Sequence, residues 1–79
     1  MSPLVFKYKN YRFFFYSEEE NRMHIHISSE DGEAKVWIEP VIALADYSGY
    51  SKNKLNEILK MVQKHENTIK KAWKKHFRS

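Results

Sequence analysis

The first part of the chain contains the aromatic and β-branched runs that are typical of β-strands. Two of these runs, LVFKY at 4–8 and YRFFFYS at 11–17, flank Lys9-Asn10. A two-residue turn between such runs predicts a hairpin, and Asn at its second position tolerates a positive φ angle. The expected cross-strand pairs are Tyr8 with Tyr11, Phe6 with Phe13 and Leu4 with Phe15.

Two further runs, RMHIHIS at 22–28 and EAKVWIE at 33–39, alternate apolar and polar residues. Each therefore has one apolar and one polar face, which is typical of a strand covered on one side only. The two histidines, His24 and His26, lie on the polar face. With the hairpin, these runs predict a four-stranded antiparallel meander over residues 4–39.

The turn between these two strands decides which residues lie beside the histidines. A type I′ turn at residues 31–32 sets His26 against Trp37, whereas a four-residue loop over 29–32 sets His26 against Lys35. Both registers keep the apolar faces together, because a slip by one residue would turn one apolar row to solvent. In either register the polar face holds both histidines with Lys35, Trp37 and Glu39.

The last third of the chain has helical periodicity. Pro40 ends the fourth strand, residues 41–50 read as an apolar connector, and Ser51 is the expected N-cap. Over residues 51–78 the apolar positions fall on one arc at about 100° per residue, and lysines fall on the opposite arc. The pattern predicts an α+β fold, a meander followed by a long or kinked C-terminal amphipathic helix, in a single domain over 1–79.

Length limits how this helix can pack. A helix of about 27 residues is about 40 Å long, while strands of about 7 residues reach about 23 Å. We expect a break near Glu66, where polar residues interrupt the apolar arc. The alternative is a projecting second half that binds another chain. That partner-binding surface would consist of Ile69, Trp73 and Phe77 with the flanking Lys71 and Lys75.

Charge divides the chain into two unlike parts. Residues 1–50 carry five basic and eight acidic groups, a net charge of −3, while residues 51–79 carry nine basic and two acidic groups, a net charge of +7. A cationic helix suits an acidic protein partner or nucleic acid, and it is also compatible with a simple solvated face.

Composition excludes several classes of protein. There is no cysteine, so disulfides and thiolate metal sites are excluded and a reducing cytoplasmic setting is expected. No window approaches the roughly 20 apolar residues that a membrane span needs, so we expect no membrane contact. The chain has no glycine-rich phosphate loop and no G-x-S-x-G elbow.

The strongest chemical feature is the pair His24 and His26, about 7 Å apart along one strand face. With Glu39 they could form a two-histidine, one-carboxylate metal site. They could also act as acid and base on RNA, with Lys35 stabilising the phosphorane. The interpretation we favour is packing beside Trp37 on a polar sheet face, and we expect neither a metal nor another cofactor.

Several segments together resemble the small prokaryotic family catalogued as domain of unknown function 4160: YRFFFYSEEEN, HIHI, DGEAKVWIEPV and NTIKKAWKKHF. The resemblance runs in order from Tyr11 to Phe77. The family usually has proline before its His-x-His strand, where this chain has Arg22 and Met23, and often after the helix cap, where it has Lys52. The resemblance implies no catalytic residue. It implies a cytoplasmic bacterial or archaeal protein, often encoded beside another small protein, as in toxin–antitoxin pairs.

The expected function is therefore that of one member of a two-protein, toxin–antitoxin-like module that acts through protein–protein contact. The partner would be the small protein encoded by a neighbouring gene, or a second copy of the chain. The alternatives are a metal-independent ribonuclease toxin that uses His24 and His26, and a nucleic-acid-binding regulator.

Overall fold

The computed structural model of the chain describes residues 4–16 and 22–77. These residues form one five-stranded antiparallel sheet, in the order β1-β2-β3-β4-β5, followed by two helices. The elements are β1 (Leu4–Tyr8), β2 (Tyr11–Phe14), β3 (His24–Ser29), β4 (Gly32–Trp37), β5 (Ala43–Ser48), α1 (Lys52–Lys64) and α2 (Glu66–His76). The predicted α+β class is confirmed. No helix in these residues is long and apolar enough to cross a membrane.

The prediction of four strands was wrong, because the apolar connector contains β5. This strand pairs with β4 alone and lies at the edge of the sheet, where its residues 43–45 are half-buried and 46–48 are exposed. The register shifts between Lys35 and Val36, which leaves Ala45 as an extra residue on β5. An edge strand with a bulge shows no regular apolar alternation, so the sequence pattern did not reveal it.

The predicted hairpin is confirmed near its turn and wrong at its open end. Tyr8 pairs with Tyr11 and Phe6 with Phe13, but Leu4 pairs with Phe14 instead of Phe15. The register shifts between Leu4 and Phe6, and the extra residue, Val5, packs against the core. In the turn, Lys9 has the positive φ of 54° that was expected for Asn10.

The β3–β4 pair adopts the second of the two expected registers. His24 pairs with Trp37 and His26 with Lys35, and Ser29 pairs with Gly32 around the turn. This register keeps Ile25 against Val36 on the face that the helices cover.

The core lies between that face and the two helices. Its members are fully or almost fully buried apolar side chains, chiefly Phe13, Phe15, Ile25, Ile27, Val36, Ile38, Ile58, Val62 and Ile69. The helix begins as expected, because the Ser51 hydroxyl accepts a hydrogen bond from the Lys54 backbone N–H at 3.2 Å.

The helical element is broken at His65, as the polar interruption near Glu66 predicted. Beyond the break, α2 folds back onto the sheet: Ile69 is 0% exposed and Trp73 is 9% exposed. The alternative of a projecting stripe was therefore wrong for these two residues, which belong to the core. Phe77 is half-buried, with its ring centroid 4.2 Å from that of Trp73.

Candidate functional site

A row of cross-strand partners crosses the face of the sheet opposite the helices, which we call the open face. Phe14 pairs with His26, His26 with Lys35, and Lys35 with Asp46. The His26 ring also lies against Tyr16, with centroids 4.4 Å apart. The alternation of the strands therefore collects aromatic, basic and acidic groups on this face.

His24 is the most enclosed polar residue of this region, with no exposed surface. Its Nδ1 lies 2.7 Å from the backbone carbonyl oxygen of Arg22, so this nitrogen carries the proton and donates. Its ring contacts the rings of His26, Trp37 and Trp73, at centroid distances of 5.0, 5.6 and 5.2 Å. His24 thus has the surroundings of a core residue.

The three residues predicted as catalytic do lie together. His24 and His26 are in ring contact, and Lys35 is the cross-strand partner of His26. However, a general acid or base must reach the proton that it transfers. Burial keeps His24 out of contact with a solvent-borne substrate in this conformation.

Glu39, the third ligand of the hypothetical metal site, interacts with α2 and with Arg22. Its carboxylate lies 3.8 Å from Nζ of Lys70, and its backbone carbonyl accepts a hydrogen bond from Nε of Arg22 at 3.0 Å. Within residues 4–16 and 22–77, no three histidine, aspartate or glutamate side chains gather as metal ligands.

A shallow groove of about 240 Å³ lies on the open face. Its charged lining includes Lys35 but also Glu33 and Asp46, so it does not form a uniformly positive track for phosphates. Trp37, a candidate stacking platform for bases, has Arg22 and Lys35 within 4.1 and 4.5 Å of its ring centroid. The protein's own cations already interact with this ring.

The acidic residues of the helices are already engaged. Glu57 binds Nζ of Lys9 at 2.7 Å and accepts a hydrogen bond from the Tyr11 hydroxyl at 3.0 Å. Hydrogen bonds from Lys9 and Tyr11 lower the pKa of Glu57. Burial and the bond to Glu57 raise the pKa of Tyr11 to about 12. Glu66 pairs with Lys70 at 2.9 Å within α2.

Between residues 60 and 75, these pairs leave five exposed lysines on the outward sides of α1 and α2 without an ion pair to any described residue. We call this set the cationic surface; its members are Lys60, Lys64, Lys71, Lys74 and Lys75. The predicted partner-binding set contained only Lys71 and Lys75 from it. The lysine arc of the helical pattern also contains Lys60 and Lys64. The sequence did not show, however, that the two acidic residues of the helices would form ion pairs with other lysines.

The family model described as Domain of unknown function (DUF4160) matches residues 10–74. The protein belongs to the DUF4160 family. This confirms the resemblance drawn from the sequence. Neither a curated protein nor a solved structure matches the chain.

The matched range of this DUF4160 protein includes both helices except the last residues of α2. It therefore includes His24, His26 and four of the five lysines of the cationic surface, with Lys75 just beyond it. The family description names no activity, so the chemistry of these residues is the basis for a function.

Proposed function

We propose that this DUF4160 protein acts through protein–protein contact, as one member of a two-protein, toxin–antitoxin-like module. The cationic surface of α1 and α2 is the part that binds, and its partner is a small acidic protein encoded by a neighbouring gene. The observation that carries the proposal is the set of five exposed lysines without a counter-charge among the described residues.

The fold supports a common orientation of these lysines. Both helices bury their apolar arcs against the same core, through Ile58 and Val62 in α1 and Ile69 and Trp73 in α2. Their lysines therefore lie on the side away from the sheet. A surface of one sign attracts a partner of the opposite sign over about a Debye length and speeds the encounter.

The chemistry of this surface favours a protein over a single-stranded nucleic acid. Proteins that bind single strands combine cations with exposed aromatic rings on which bases stack. The large apolar or aromatic side chains that are exposed among the described residues are Leu4, Tyr16, Val41 and Tyr47, and all of these precede α1. Among the described residues, the cationic surface therefore lacks an exposed Phe, Tyr or Trp ring, and the imidazole of His76 beside Lys75 already lies against Phe15 and Phe77, with ring centroids 5.9 and 4.4 Å away.

The burial of His24 is a reason to prefer a protein-binding function over ribonuclease activity. One of the two imidazoles needed for acid–base cleavage is fully buried and hydrogen-bonded to a backbone carbonyl oxygen. Burial of this kind supports a packing role for the histidine pair.

Charge reversal tests the proposal. The protein is co-expressed with the product of the neighbouring gene, and the complex is measured by co-purification and calorimetry. The double variant Lys60→Glu/Lys64→Glu should weaken the complex by at least about tenfold, because like charges would then face each other. RNA should not compete with the partner.

The matched control is Lys7→Glu/Arg12→Glu, which changes the net charge equally on the open face, where these two exposed residues pair across β1 and β2. The control should keep the affinity of the unmodified protein. Equal weakening by both double variants, or no weakening by either, would contradict the proposal.

A further inference from the structure

A second groove, of about 520 Å³, lies between β1 and α2. Its apolar floor is made by Val5, Phe15 and Ala72, and Leu4, which is 46% exposed, lies at its edge. None of its described lining residues is acidic.

The sequence explains why this space is open. α2 places its large apolar residues, Ile69 and Trp73, in the core, while the neighbouring positions that line the groove are the small Thr68 and Ala72. On the sheet side, the register shift in β1 brings Val5 to the groove. Two small helical residues opposite an edge strand leave room for side chains from another molecule.

The rim of the groove is cationic. Lys75 and His76 line it directly, and Lys71 lies one helical turn before Lys75 on the same side of α2. Glu66, the acidic residue of α2, is paired with Lys70. An apolar floor with a positive rim complements an apolar side chain that is flanked by carboxylates.

We propose that this groove seats an apolar anchor of an acidic protein segment, with the carboxylates of that segment beside Lys71 and Lys75. The inference rests on the proposed function. It states that contacts in the β1–α2 groove contribute most of the binding free energy of the complex. At many interfaces, anchor residues of this type contribute most of the binding free energy, and charged residues surround them at the rim. A second copy of the chain docked through its own α2 is disfavoured as the occupant, since that helix would bring the same lysines.

Two substitutions of equal size test the groove. Thr68→Phe places a ring in the groove from an exposed helical position, and Asn67→Phe places the same ring on the adjacent exposed position, which does not line it. Thr68→Phe should weaken the complex with the neighbouring gene product at least about tenfold, and Asn67→Phe, which leaves the groove open, should weaken it clearly less. Equal weakening by the two variants would overturn the groove proposal. Circular dichroism and denaturant midpoints establish that both variants are folded.

The result separates the two proposals. If Lys60→Glu/Lys64→Glu weakens the complex while Thr68→Phe and Asn67→Phe both bind normally, the groove proposal is overturned and the proposed function stands. If none of these variants weakens the complex, both are overturned.

A crosslinking experiment identifies the occupant. Because the chain has no cysteine, Thr68→Cys and Asn67→Cys each provide one site for a benzophenone label. The label at position 68 should capture a segment of the partner that contains an apolar residue among aspartates and glutamates, more efficiently than the label at 67. Capture of a second copy of this chain, or of a basic segment, would overturn the proposal.

Discussion

The indole ring of Trp73 lies 5.2 Å from the imidazole of His24, at an interplanar angle of 62°. This contact joins α2 to the beginning of β3, and Phe15 meets the same indole edge-on at 5.4 Å. The contact bears on two alternatives that the sequence left open. Trp73, which a projecting helix would place on a binding stripe, and His24, which acid–base catalysis would need within reach of a substrate, are packed against each other in the interior. This packing agrees with the expected helix break and with the packing interpretation of the histidines that we favoured.

Trp73→Ala should destabilise the domain by about 3 to 5 kcal/mol, because it removes a buried ring in contact with Phe15, His24 and Phe77. Urea denaturation followed by circular dichroism measures the change. The exposed Lys71→Ala on the same helix is the control and should cost little. A loss below about 1 kcal/mol for Trp73→Ala would mean that α2 is not docked on the sheet.

His24→Ala should cost about 2 to 4 kcal/mol, from lost packing and from the Arg22 carbonyl left without its donor. His26→Ala should cost less, because His26 is only half-buried. Chemical denaturation of the two variants measures this difference. A larger loss for His26→Ala would show that the wrong histidine has been assigned to the interior.

The decrease of the free energy of unfolding at alkaline pH should depend on Tyr11. Its pKa is raised from 10 to about 12 in the folded protein, so the protonated phenol is favoured by folding. This contribution is complete below pH 10 and is lost as the pH rises through about 12.

The matched variant for this prediction is Tyr11→Phe, which keeps the ring and removes the titrating group. Its free energy of unfolding should fall less between pH 10 and about 12 than that of the unmodified protein. Parallel pH profiles for the two proteins would contradict the role assigned to the Tyr11 hydroxyl.

Gly49→Ala should destabilise the domain by more than about 1 kcal/mol, because Gly49 has a φ of 88°. An added Cβ would also lie only 2.2 Å from the backbone oxygen of Asp31. Thermal melts measure the effect, and the exposed Ser48→Ala next to it is the control. Equal melting temperatures for the two variants would show that the β5–α1 turn is not held against the β3–β4 turn.

The parts of the fold that local pattern determines were predictable. The alternation around Ile25 and Val36 indicated the covered face of the sheet, and Ser51 indicated the start of α1. β5 was not predictable in this way, because an edge strand with a bulge at Ala45 needs no regular alternation.

For the candidate site, the alternation of the strand predicted that both histidines lie on one face. Nothing in the sequence indicated that Trp73 would cover His24. That contact depends on where α2 folds back, which is a tertiary property. The open groove beside Ala72 depends on the same packing and had no local signal, since small residues in a helix are common.

The most direct test of the proposed binding mode is to map amide chemical shifts of the isotope-labelled protein on addition of the neighbouring gene product. We expect the perturbed amides to cluster on the helical side, around Lys60, Lys64, Thr68 and Ala72, and high salt to weaken the perturbation. Perturbations confined to the open face around His26, with the helical amides unchanged, would contradict it.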